Sequence, residues 1–108
     1  MAEVVVTAFF KRRYKQLAKR HRSLEQDLLD LITSLEEQPI QGTPLGKDCY
    51  KIRLAIRSKG GGKSGGSRVI TYVRKVRSKV YLLTIYDKSD QASLTQKELM
   101  DLLGGIGD

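Results

Sequence analysis

The sequence predicts an α+β domain: a twisted, mainly antiparallel sheet of about four strands, with an N-terminal αα-hairpin on one face and a short C-terminal helix. Three observations carry this expectation. Two blocks between residues 9 and 35 place apolar residues at helical spacing. Residues 50–57 alternate strictly between apolar and mostly cationic residues. Residues 68–88 contain two further β-branched and aromatic runs joined by a tight basic turn. At 108 residues the chain has room for one domain, 1–108, and one modest core.

Val4 to Val6 form a short β-branched run that reads as a first strand. Phe10, Tyr14, Leu17 and Ala18 then recur at helical intervals, and the opposite face holds Lys11, Arg12, Arg13, Lys15, Lys19, Arg20 and Arg22 with no acid among them. Ser23 opens a second helix, with Gln26 three residues later as the partner of a capping box. Leu24, Leu28, Leu31, Ile32 and Leu35 give it an apolar stripe. Glu25, Asp27, Asp30, Glu36 and Glu37 are expected to face solvent, and Pro39 ends the helix.

The segment GTPLGKD reads as a turn. In YKIRLAIR, Tyr50, Ile52, Leu54 and Ile56 should point one way, and Lys51, Arg53, Ala55 and Arg57 the other. Residues 58–67 form a Gly/Ser-rich loop. Residues 68–75 and 79–88 make two strands that are apolar on both faces, as central strands are. Thr95 and Glu98 form a capping box for the last helix, with Leu94 and Leu99 as its hydrophobic staple.

Net charge is +8, and it is concentrated. Residues 41–80 hold eleven Lys or Arg against a single acid, whereas residues 81–108 hold two against five. A local excess of this size points to a polyanion partner, because neutralising phosphates releases counterions. Cys49 is the only cysteine, so an intramolecular disulfide and a multi-Cys metal site are excluded. An apolar start followed by KRRYK reverses the order of a secretory signal, and no run reaches the roughly 20 apolar residues of a membrane helix. A cytoplasmic protein with no membrane association is expected.

Candidates for chemistry are few. His21 lies alone in the basic helix and is expected at the surface, without the partners of a catalytic triad. No metal-ligand spacing and no paired carboxylates stand out, so no metal and no cofactor are expected. GGGKSGG echoes a phosphate-binding loop but lacks its spacing and precedes a strand. Lys63 at the tip of this loop is a candidate phosphate contact. Lys51, Arg53 and Arg57 should project from one strand face, on which neighbouring positions lie about 6–7 Å apart, close to the phosphate repeat of a single RNA strand. Arg68, on the neighbouring strand, could join them.

The order of elements and several stretches resemble the RelE/ParE superfamily of bacterial toxins, in particular its HigB-like branch. The matching stretches are FKRRYKQLAKR, LEEQPIQGTPLG, YKIRLAIRSKGGGKSGGSRVITYV, and LLTIYDKSD followed by LTQKELMDLL. Together they span nearly the whole chain. The resemblance implies the toxin of a type II toxin–antitoxin system, an endoribonuclease acting on mRNA at the ribosome. It further implies metal-independent attack of a ribose 2′-hydroxyl on the adjacent phosphate. A cognate antitoxin is the implied protein partner, and operator DNA a further partner through the toxin–antitoxin complex.

Carried over by position, the family's catalytic cations fall on Lys51, Arg53, Arg68 and Lys88. Arg57, Lys63, Tyr72 and Tyr86 are the expected RNA contacts. Lys51, crowded by Arg53, Arg57 and Arg68, is the candidate general base. Arg68 would stabilise the phosphorane-like transition state, Lys88 would protonate the leaving oxygen, and Tyr72 or Tyr86 would stack on a base. Ser64 stands where many relatives carry another basic residue. Two alternatives stay open: a ParE-like gyrase inhibitor, and an RNA-binding protein without enzymatic activity.

Overall fold

A computed structural model describes residues 1–106. The strands are β1 (Glu3–Val6), β2 (Thr43–Gly46), β3 (Cys49–Leu54), β4 (Ser67–Arg74) and β5 (Lys79–Asp87). The helices are α1 (Ala8–Ala18), α2 (Leu24–Glu37) and α3 (Gln96–Gly104). The sheet order is β1-β5-β4-β3-β2, with β1 parallel to β5 and every other pair antiparallel.

The sheet therefore has five strands rather than about four. The extra one is TPLG, inside the segment expected to be a turn. Pro44 cannot donate to a ladder, so its place on an edge strand beside a register shift is where proline is tolerated. Gly42 enters this edge at φ +93°, and a Cβ there would lie 2.2 Å from the Lys51 carbonyl oxygen. No other residue type allows so close an approach.

Helices α1 and α2 cover one face. Phe10, Leu17, Leu24, Leu28, Leu31 and Leu35 pack there on Ile52, Val69, Val80, Leu82 and Ile85. Thr7 fixes the start of α1, accepting the Phe10 N–H at 3.2 Å while its hydroxyl donates to the Leu82 carbonyl at 2.8 Å. The expected capping box at Ser23 is absent. Its hydroxyl instead donates to the Asp27 carboxylate at 2.7 Å. Asp27 is buried rather than facing solvent.

On the opposite face, α3 covers a second cluster that includes Cys49, Ile70, Tyr81, Leu83, Tyr86 and Leu99. Its capping box is formed as expected: the Glu98 N–H donates to Thr95 Oγ1, and the Thr95 N–H to Glu98 Oε1. Burial pushes the Cys49 thiol up to about 11, with Asp48 adding to the shift, which makes it an inert core residue. Among the described residues no helix is long and apolar enough to cross a membrane.

Candidate functional site

Strand β3 sends Ile52 and Leu54 towards the helices. By alternation Lys51 and Arg53 therefore leave the strand on the other side. Lys51 is half-buried and Arg53 exposed. Arg53 pairs with Arg68 of β4, and Arg68 pairs in turn with Tyr86 of β5. Directly opposed residues in antiparallel strands sit about 4.5–5.5 Å apart, so two guanidinium-bearing residues and a phenol form one row across the sheet.

Arg68 is buried, 4% exposed, unlike the open cation expected from the sequence. Its guanidinium donates to the carbonyls of Lys63 at 3.0 Å, Ser67 at 3.1 Å and Ser64 at 3.3 Å. A planar fork is suited to several carbonyls at once. Its charge is retained in the row while its hydrogen bonds are spent on the glycine loop.

The other end of that loop is also held. Strand β3 stops at Leu54, and residues Arg57–Lys59 form a single turn of 3-10 helix. Each residue of the turn has a partner. Arg57 Nε donates to the buried Asp27 at 2.6 Å, and its terminal nitrogen donates to Asp30 at 2.9 Å. The Ser58 N–H donates to Ser23 Oγ at 2.8 Å. Lys59 Nζ donates to Asp87 Oδ1 at 2.8 Å. Arg57 therefore leaves the strand face expected for it and faces α2, because the alternation ends three residues before it.

Asp87 is the second buried carboxylate, 2% exposed. Besides Lys59 it receives the backbone N–H and hydroxyl of Ser89 at 2.9 and 2.7 Å. His21 Nε2 lies 3.1 Å from Oδ2, and Arg20 lies 3.5 Å from the same oxygen. Burial raises the affinity of Asp87 for a proton, but the Lys59 ammonium and the Ser89 bonds outweigh it, so the carboxyl is held well below its ordinary range. His21 is accordingly no open surface residue: its side chain is 14% exposed and seated on this acid.

Of the remaining candidates, Lys63 and Lys88 are exposed. Lys63 and Arg53 line the same open groove of about 380 Å³ beside the β3 edge. The Lys88 N–H donates to the Gly66 carbonyl at 3.1 Å, which fixes Lys88 beside the root of the loop. Tyr86 is buried, and its hydroxyl has no hydrogen-bond partner among the described residues. Burial pushes that phenol up, Arg68 draws it down, and Glu98 pushes it up. Tyr86 therefore presents no open ring for a base. Tyr72 is paired with Cys49 and with Tyr81, whose ring centroid is 5.8 Å away. It belongs to the end of the sheet away from Arg53 and Arg68.

The structure thus joins Arg53, Lys63 and Arg68, with Lys51 on the same strand face and Lys88 at the root of the same loop. Arg57 lines the groove of Arg53 and Lys63, but its guanidinium is spent on Asp27 and Asp30, and Tyr72 lies apart. Sequence reasoning missed Asp87, Lys59 and the buried role of Asp27. The only available signal was an acid directly after the apolar run of β5, where a solvated residue is the ordinary case.

The chain is thus a small α+β domain with two helices on one sheet face and a row of cations beside a third helix on the other. Over residues 6–104 the chain matches the family described as RelE toxin of the RelE/RelB toxin–antitoxin system, and it belongs to that family. Its fold is similar to that of a mutant E. coli toxin RelE in the free state, with TM-score 0.65 and 21% identity, covering 99% of this chain and 100% of that one. It is also similar to a chain of the intact E. coli RelBE toxin–antitoxin complex, with TM-score 0.60 and 18% identity, covering 81% and 96% of the two chains. The isolated E. coli RelE toxin gives TM-score 0.59 and 18% identity, covering 98% and 100%.

Proposed function

We propose that this RelE-family toxin is an endoribonuclease that cleaves mRNA on the ribosome without a metal ion, and that it acts in the cytoplasm. The single observation that supports this most strongly is the opposition of Arg53 and Arg68 beside Lys51 on one sheet face. Cations placed in a row suit a substrate that brings its own negative charge.

In this reading the Lys51 amine takes the proton of the ribose 2′-hydroxyl as O2′ attacks phosphorus. The P–O5′ bond breaks, and the Lys88 ammonium gives a proton to the departing O5′. The products are a 2′,3′-cyclic phosphate and a 5′-hydroxyl. Arg53 meets the non-bridging oxygens, whose charge grows in the transition state and rewards a preorganised guanidinium. Arg68 adds its positive charge from beneath and, through the Lys63 and Ser64 carbonyls, keeps the loop in place. Lys63 contacts a neighbouring phosphate.

A cognate antitoxin is the proposed protein partner, covering this face or displacing α3. Operator DNA would be engaged only through the antitoxin complex. The experiment is to incubate the protein with ribosomes programmed with a defined mRNA and to map 5′ ends. The expected result is discrete cleavage with 5′-hydroxyl ends that is lost in Lys51→Ala. Intact mRNA overturns the proposal. DNA-gyrase cleavage complexes in a parallel assay would establish the inhibitor alternative, and RNA binding without new ends would establish the non-enzymatic one.

A further inference from the structure

Helix α1 ends at Ala18 and α2 begins at Leu24. The joint between them carries four consecutive basic residues, Lys19, Arg20, His21 and Arg22. With Ala18 and Ser58 these residues line a concavity of about 310 Å³. The four are not equivalent. Arg20 is bonded to Asp90 at 2.6 Å and His21 to the buried Asp87 at 3.1 Å, which ties the middle of the joint to the end of β5. Lys19 and Arg22, on either side, are exposed and have no acidic partner among the described residues.

The wall opposite is equally fixed. The Ser58 N–H donates to Ser23 Oγ at 2.8 Å, and the Ser23 N–H donates to Ser58 Oγ at 3.2 Å. A concavity with anchored walls loses little freedom when a ligand enters. Stabilisation of the α1 dipole does not require this cluster, because Lys15 already occupies the last turn. The unpaired charges of Lys19 and Arg22 repel one another until an anion lies between them.

We infer that this joint binds a phosphodiester of an RNA backbone, as a contact separate from the cations of β3 and placed at the base of the glycine loop. The inference rests on the RNA-directed reading above. It assigns Lys19 and Arg22 to charge neutralisation and Ser58 to hydrogen bonding, with no part in the cleavage step.

The test measures binding of a 5′-hydroxyl 2′-O-methyl oligoribonucleotide, which cannot be cleaved, by fluorescence anisotropy over a range of salt. Lys19→Ala/Arg22→Ala should bind about tenfold more weakly, with a log K against log salt slope shallower by about 0.7 for each phosphate that is no longer neutralised. The charge-matched Lys75→Ala/Lys97→Ala should keep the wild-type slope. An unchanged thermal midpoint in both doubles shows that the fold is intact. Equal losses in the two doubles overturn the site, because net charge alone then explains binding. A loss seen only with a 5′-phosphorylated oligonucleotide overturns the diester assignment in favour of a terminal phosphate. Wild-type protein that does not bind the oligonucleotide overturns the RNA-directed reading itself, a result distinct from indifference of the Lys19/Arg22 double.

Discussion

The ammonium of Lys59 lies 2.8 Å from Oδ1 of the buried Asp87, across 28 residues of sequence. This bond joins the foot of the glycine loop to the end of β5, and His21 joins the helical hairpin to the same acid. A cation that could have added to the open cationic surface is instead spent on architecture.

Asp87→Asn removes the charge that Lys59 and His21 were placed to meet. Both partners can reach some solvent, so the cost falls below that of a fully buried pair. A loss of about 2 kcal/mol is expected, in line with hydrogen bonds to charged groups. The check is a lower urea midpoint at unchanged m-value. An unaltered midpoint would show that the Asp87 bonds contribute no stability.

Acid should weaken the fold through the same residue. The Asp87 carboxyl is lowered in the folded state from its ordinary 3.8. Its contribution is therefore complete above that value and is lost as pH falls from about 4 towards the folded-state pKa. Urea midpoints for wild type should drop between pH 6 and pH 3 by more than those of Asp87→Asn. Parallel acid limbs would contradict this.

Lys51→Ala should reduce cleavage by about 10²–10⁴-fold, the usual contribution of a general base, with the thermal midpoint barely moved. Arg57→Ala should do the opposite. It strips the buried Asp27 of its guanidinium partner, so stability falls while the surviving folded protein still cleaves. Comparing single-turnover rates with thermal midpoints for the two variants separates the roles.

Arg68→Lys keeps the charge and loses the fork. One ammonium cannot reproduce the bonds to the Lys63, Ser64 and Ser67 carbonyls. Amide exchange in residues 60–66 should accelerate about tenfold or more, since local opening then costs at least about 1.4 kcal/mol less. Exchange at the wild-type rate would mean that the loop is held by other bonds.

Gly66→Ala should be among the most damaging single changes. A Cβ at that position would lie 2.5 Å from the Leu54 carbonyl oxygen and 2.9 Å from the Ala55 Cα, both backbone atoms that cannot rotate away. A loss of about 2 kcal/mol or more is expected, typical of overpacking. It should appear as a lower thermal midpoint with slower cleavage. Wild-type stability would show that β3 can move aside.

Much of this architecture is legible in the chain. The stripes of α1 and α2, the buried β4 and β5, and the Thr95–Glu98 cap rest on periodicities and short spacings that survive folding unchanged. Strand β2 was not legible, because TPLG has turn composition and becomes a strand only when β3 offers it a partner. Arg57 departs from the alternation for a related reason. Alternation predicts a face only while the strand lasts, and β3 turns away after Leu54 to bury Ile56.

The candidate site divides along the same line. By itself the sequence determined that Lys51 and Arg53 share a face, that Lys63 sits on a glycine loop, and that positive charge gathers in the middle of the chain. Tertiary structure decided which cations stay open. It buried Arg68 against loop carbonyls, gave Arg57 to Asp27 and Lys59 to Asp87, and seated His21 on an acid 66 residues away in sequence. Strand alternation and loop composition are local properties of a few residues. The pairing of a cation with a buried carboxylate is set by where two distant segments meet, and nothing in either segment alone records it.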